Sequence, residues 1–384
     1  MKKQKSMTKR ERVLATFKRQ PTDRVPLYDL LYNNNDVIKY FAGEDWIRAG
    51  SRGPEIHARA VGAFLDMARG VGRDSPLPDG DYPGTQMLDG SAQEGFVSRI
   101  ENGLDHGVLK RPFADYEGAV RWFKQFTKKR YKALLDLPDE LKHSNLKEKS
   151  REQFLRLNAW MGDDPTVVCQ CGSNVGLDGI RSGLGLEWFS YLCVDEPELV
   201  SEYLENETCR AILIIHALAD PAISPWALPN ADIAMKNNLL HSPAWLRQEV
   251  FPRLKRINDA YHEHGIYCVF HSDGYLMEIM PDLIACGIDG LNPVETTAGM
   301  DVGEVFRLYG DKIVLTGGID MSQLLSSGTP DDVKAVCQKA MRNAPRGYFM
   351  GSTSELDASA RLENVLAMIE STWGYAPRRA RLQK

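Results

Sequence analysis

A (β/α)8 barrel with an N-terminal helical extension and a small inserted hairpin is the α/β fold this sequence predicts, and three observations predict it. From Pro165 onward, short apolar or β-branched runs alternate with helical stretches, the pattern of parallel strands joined by right-handed crossovers. Six such runs, with Val25–Leu30 and a weak candidate before Pro76, make eight. No glycine-rich phosphate loop follows the first strand, which disfavours an open doubly wound sheet. The 384 residues read as a single barrel domain, 1–384, with an irregular insertion around 73–112.

The elements follow in order. Thr8 and Glu11 make a capping box ahead of an amphipathic run through Val13, Leu14 and Phe17, so the chain opens with a helix. RVPLYDL gives the strand Val25–Leu30, and the stretch from Val37 to Gly72 is mostly helical. Between Arg73 and Pro112 the chain is rich in Gly, Pro and Asp, and GFVSRI and HGVLKR pair there as the inserted hairpin. Polar helices follow around Tyr116–Lys128 and Leu146–Trp160. Strands then fall at TVVCQCG, ISPWALPNAD, IYCVFHSDG, IDGLNPVE, KIVLTGGID and RGYFMGSTSE. Ser242-Pro243 and Thr329-Pro330 each set a capping residue before a proline at the first helical position.

Composition excludes several classes. A net charge of −5 and a pI near 6.0 give no footprint for nucleic acid. The basic ends MKKQKSMTKR and PRRARLQK read as solvated tails. No apolar run approaches the roughly 18 residues needed to span a bilayer, and the N-terminal lysines lack the apolar core of a secretory signal. Seven scattered cysteines do not suggest a disulfide framework, so a cytoplasmic, reduced setting is expected.

Barrel chemistry sits at the C-terminal ends of the strands, and the unusual polar residues cluster there. His271 and Asp273, two apart on an extended segment, share a face and are competent zinc ligands. The plainer reading is a capped strand and a turn. Glu295 ends the next strand and can reach the same ion or form an ion pair with a loop. Glu355 closes GSTSE as a further candidate ligand, although it also suits the start of a helix. Asp232 is a candidate acid–base group, with Asn230 beside it and a turn as the alternative. Cys169 and Cys171 share a face but lack a second Cys/His pair, so burial is the better reading. Tyr28, Tyr32 and Trp226 are candidates for an aromatic pocket wall, with Asn34 in the loop after the first strand.

The segments TKRERVLATFKRQPTDRVPLYD, SPAWLRQEVFPRLKRINDAYHEHGIYCVFHSDG and LNPVETTAGMD…DKIVLTGGID…LLSSGTPDDV resemble the uroporphyrinogen decarboxylase superfamily. The resemblance implies a (β/α)8 barrel and one of two chemistries. The decarboxylases meet a polyanionic porphyrinogen with arginines after the first strand. Here that place reads DLLYNNND, with Asp29 and Asp36 and no positive charge, which disfavours them. The zinc-dependent methyltransferases carry His-x-Cys after the fifth strand and a second Cys after the last. His271 matches, but Asp273 replaces the first thiolate and Ser352 lies near the second, whereas Glu295 is retained. An oxygen-rich site is harder and suits an oxygen-bearing substrate, as in the methyltransferase component of corrinoid-dependent O-demethylases. The resemblance therefore implies methyl transfer from a small donor, a phenyl methyl ether, to the cob(I)alamin of a corrinoid protein docking at the C-terminal mouth. His271, Asp273 and Glu295 would hold zinc or the ether oxygen, with Asp232 a proton source. Neither nucleic acid nor membrane is an expected partner, and a homodimer is allowed. A lyase acting on a small carboxylic acid and a metal-free binding barrel are the alternatives.

Overall fold

The computed structural model describes residues 6–75, 79–84, 93–101, 104–170 and 173–380. Strands β1 (Tyr28–Asp29), β2 (Met67–Ala68), β3 (Gly80–Pro83), β4 (Val97–Glu101), β5 (Leu104–Lys110), β6 (Val167–Val168), β7 (Trp226–Ala227), β8 (Tyr267–His271), β9 (Gly290–Val294), β10 (Val314–Ile319) and β11 (Tyr348–Ser352) form three sheets. Two are parallel, in the orders β1-β2-β6 and β11-β10-β9-β8-β7. Their edges meet at both seams. Leu27 bridges Met350 in parallel, and the Gln170 N–H donates to the Trp226 carbonyl at 3.1 Å, with Asn174 bridging Asn230 above it.

The insertion contains the expected hairpin, as the antiparallel pair β4-β5, and a third strand, β3, joins its edge through β4. Its first strand, GDYP, carries a glycine and a proline, residues that mask strand character in a sequence. The first parallel strand is shorter than the expected Val25–Leu30: Pro26 has no N–H for the ladder, and the N–H groups of Leu27 and Leu30 go to the carboxylates of Asp66 and Asp29.

Helices α1 (Lys9–Phe17), α2 (Asn35–Ala42), α3 (Gly53–Phe64), α4 (Tyr116–His143), α5 (Leu146–Met161), α6 (Leu177–Leu184), α7 (Leu186–Asp195), α8 (Pro197–Leu218), α9 (Pro243–Trp245), α10 (Phe251–His262), α11 (Met280–Ala285), α12 (Val302–Tyr309), α13 (Pro330–Asn343) and α14 (Leu362–Trp373) account for most of the rest. Thr8 caps α1 and Thr329 caps α13, each in a reciprocal capping box. No helix among the described residues is long and apolar enough to cross a membrane.

Strand alternation divides the core in two. One cluster, including Tyr28, Met67, Val167, Trp226, Val269 and Phe349, takes its members from strands of both parallel sheets. Phe17 of α1 joins it from below, stacking on Tyr267 at 4.5 Å between ring centres. A larger cluster packs the other strand faces, such as Cys268 and Phe270, against the helices. Beneath β1 and β2, Asp66 is buried and takes Arg12 at 2.5 Å, Arg24 at 2.6 Å and the Leu27 N–H at 2.8 Å. That network ties α1 to the N-terminal ends of the first two parallel strands.

Candidate active site

Because β8 alternates, Val269 faces the inter-strand cluster and His271, two residues on, faces the same way just above it. His271 is buried, and its Nδ1 lies 2.8 Å from Asn292 Oδ1 on the paired strand β9. The amide of Asn292 is oriented in turn. Its Nδ2 donates to Thr316 Oγ1 at 2.7 Å, and that hydroxyl spends its proton on the Leu291 carbonyl at 3.0 Å. Asn292 therefore presents an acceptor to His271, so Nδ1 carries the proton and Nε2 keeps a bare lone pair. Burial, then the charge of Arg69, holds the imidazole neutral by lowering its pKa to about 4, against the pull of Asp232.

Two carboxylates converge on that lone pair. Ligand atoms of Asp232, His271 and Asp273 all lie within 4.8 Å of one another, and His271 Nε2 is 3.7 Å from Asp232 Oδ1. Asp178, in the first turn of α6, holds the loop bearing Asp232. It accepts from the Asp232 N–H at 2.9 Å and from Asn230 Nδ2 at 3.1 Å, while Arg181 bridges Asp178 and the Asp232 carbonyl. Asp273 is set by a turn that only glycine completes. Gly274 has φ +98°, and a Cβ there would come within 2.6 Å of the Ala234 backbone. Burial, followed by the charges of Asp232 and Glu295, pushes the Asp273 carboxyl up to about 7. Asp232 Oδ1 and Asp273 Oδ1 are buried without a hydrogen-bond partner among the described residues.

Buried, unpaired carboxylate oxygens are costly. Two of them beside a bare imidazole nitrogen form a donor set that fits a divalent cation, with room for a further ligand. A second group, His262, Cys268 and Asp289, sits at the other end of β8. There the Asp289 carboxylate already accepts from His262 and the Cys268 N–H at 2.8 and 2.7 Å, and burial raises the Cys268 thiol well above its usual range. That group is structural.

The other expected residues divide. Glu295 lies beside Asp273, but its oxygens accept from the Gly274 N–H at 2.6 Å and the Thr297 hydroxyl at 3.1 Å, outside the three-residue group. Glu355 is half-buried across the mouth, its pKa raised by burial and lowered by Arg69 and Arg73, and it too lies outside the group. Tyr32 stacks under Arg73 at 4.2 Å. Tyr28 and Trp226 meet edge-on at 5.9 Å in the core below the site, with Trp226 Nε1 donating to the Val167 carbonyl, so they form a floor rather than a wall. Asn34 serves the fold: its oxygen caps α2 and its amide donates to the Asp357 and Ala360 carbonyls. Cys169 is buried in the inter-strand core, and Cys171 lies outside the described residues. A cavity of about 400 Å³ opens onto Asp273 and Glu295, with Lys236, Ser322 and Thr353 also lining it.

Sequence reasoning missed Asp178 and Arg69. Asp178 precedes no obvious cap pattern, and Arg69 follows a parallel strand of only two residues. Asp29, a strand-end residue, is buried with its pKa raised to about 7 by burial, and Ser352 of β11 donates to it through both its N–H and its hydroxyl.

No curated protein matches the sequence. Among solved structures, a methyltransferase from Methanosarcina mazei is similar, with a TM-score of 0.63 and 18% identity, covering 95% of this chain and 98% of that one. At that identity the likeness establishes a shared fold. The uroporphyrinogen decarboxylase (URO-D) family matches residues 182–375, a span from α6 to just past α14 that supplies all three residues of the convergent group, and the chain belongs to that family.

Proposed function

We propose that this chain is a methyltransferase of the family, folded as a closed (β/α)8 barrel, that moves a methyl group from a phenyl methyl ether to a corrinoid. The observation that carries the reading is the convergence of half-buried Asp232 and Asp273 on buried His271, with a bare Nε2 and two buried, unpartnered carboxylate oxygens at the C-terminal ends of β7 and β8. The seams at Leu27–Met350 and Gln170–Trp226 support the closed barrel. Decarboxylation of a polyanion is opposed by the carboxylates of Asp232, Asp273, Glu295 and Glu355 around the mouth.

His271, Asp232 and Asp273 would hold zinc, and bound there the ion supplies Lewis acidity at the ether oxygen. Asp232 then belongs to the ligand set instead of acting as proton source. Glu295 holds the Gly274 turn and so positions Asp273. Tyr28 and Trp226 close the site from below and exclude water. A separate corrinoid protein docked at the mouth would accept the methyl group, and the ether C–O bond would leave its electron pair on the substrate oxygen beside Asp232, His271 and Asp273. Free buried thiols fit a reducing, cytoplasmic setting.

Metal analysis with a methyl-transfer assay tests this. Purified protein should carry near-stoichiometric zinc, lost in His271→Ala, and should convert cob(I)alamin to its methylated form with a methoxyarene, a change followed by absorbance. Zinc-free protein that transfers no methyl group would refute the reading in favour of a binding barrel. Release of CO₂ from a carboxylic acid would favour the lyase.

A further inference from the structure

We infer that the methyl donor carries a carboxylate, and that Arg69 binds it; the inference rests on the ether reading above and names its substrate class. Arg69 follows β2 directly, and its N–H extends the ladder to the Asp29 carbonyl at 3.3 Å. Alternation places it on the face of Met67, which belongs to the inter-strand core, whereas Ala68 belongs to the outer one. Going along the strand order from β2, β6 and β7 intervene before β8. Arg69 and His271 therefore reach into the same space from opposite sides, above the floor of Tyr28 and Trp226. The charge of Arg69 is felt at His271, Asp273, Tyr28 and Glu355, which places it among them.

Despite that company, the Arg69 guanidinium makes no side-chain hydrogen bond and no ion pair within 4.0 Å among the described residues. Each nearby carboxylate has another use. Asp29 is taken by Ser352 and the Leu30 N–H, and Glu295 by Gly274 and Thr297. Asp232 and Asp273 face the Nε2 of His271, where a divalent ion would balance them. Glu355 also feels Arg73, itself stacked on Tyr32. A half-buried guanidinium with its donors unspent is suited to a planar anion, which it grips through two parallel N–H bonds. An ether oxygen at the Asp232/His271/Asp273 group and a carboxylate on Arg69 would fix the two ends of one aromatic ring, so the anion orients the methyl group instead of taking part in its transfer.

Isothermal titration of the zinc-loaded protein, with no corrinoid protein present, tests the inference with 4-methoxybenzoate and 4-methoxybenzyl alcohol as probes. Arg69→Gln should weaken 4-methoxybenzoate by about 10- to 150-fold, with at least a tenfold smaller loss for the alcohol. Arg69→Lys should recover part of the difference, and both variants should melt near the wild-type temperature. Equal losses for the two probes, an unchanged affinity for the carboxylate, or no carboxylate binding by the wild type would each overturn it. Arg69-dependent binding without methyl transfer would retain the anion site and defeat the ether reading. Methyl transfer from the alcohol with no Arg69 effect would do the reverse.

Discussion

Asn292 decides which nitrogen of His271 faces the two carboxylates, because Thr316 leaves its amide only one orientation. Replacing it with Ala frees the ring to turn and to change tautomer. We expect Asn292→Ala to lower zinc affinity by about 10–100-fold, measured by chelator competition, with little effect on unfolding. Asp273 carries one share of the pH dependence and Asp29 another, because burial raises both carboxyls. The pKa of Asp273 is raised to about 7 in the folded chain, against about 3.9 in an unfolded one. A raised carboxyl contributes stability that is fully present below the unfolded value and is lost as pH rises through the folded one. Metal-free wild type should therefore lose about 2–3 kcal/mol relative to Asp273→Asn between roughly pH 5 and pH 8. Urea unfolding of both proteins in chelator would show it, and parallel pH profiles would contradict it. His271 and Asp273 were legible because period-two alternation and a strand end suffice to pair them. Arg69 was not, since a two-residue strand, Met67–Ala68, gives alternation almost nothing to act on.

At the scale of elements, the caps were the clearest words in the sequence. Thr8 with Glu11, Ser242 with Pro243 and Thr329 with Pro330 all start helices as their chemistry requires. Asp320 is a cap of the same kind. Its carboxylate takes the N–H groups of Ser322, Gln323 and Leu324 and begins the helical turn Met321–Leu325. Asp320→Ala should cost about 1–2 kcal/mol in urea unfolding and leave zinc content unchanged. The long strands β8 to β11 were legible, and so were β1, β6 and β7, read longer than their two residues; β2, also of two residues, fell in a stretch read as mostly helical. The extra strand β3 escaped because its register with β4 is set by a tertiary pairing, Gly80 to Ile100 and Tyr82 to Ser98, that its own composition does not announce.

Across the whole molecule, the two ends of the strands do different work. The C-terminal ends gather the site, and the N-terminal ends carry the buried pairing of Asp66 with Arg12 and Arg24. Removing the shared carboxylate leaves Arg24 without its ion pair and Arg12 with Asp23 alone, beside a closed core. Asp66→Ala should cost about 3–5 kcal/mol, seen as a lower urea midpoint, with the metal content per folded molecule equal to that of the wild type. The alternation of strands and helices made the parallel architecture legible, and no local pattern could show this ionic floor, because its partners come together only when α1 docks. The hydrogen bond between Asp29 and Ser352 joins residues 323 positions apart. A ribosome adding roughly 5–20 residues per second needs on the order of 15–65 s to travel that distance. During that interval the Asp29 carboxylate has only its local partner, the Leu30 N–H, and lacks the two bonds that Ser352 of β11 supplies. Timing thus becomes a property of the fold: the Asp29–Ser352 fastening closes only when β11 has been made, and a fragment ending before Tyr348 would lack it.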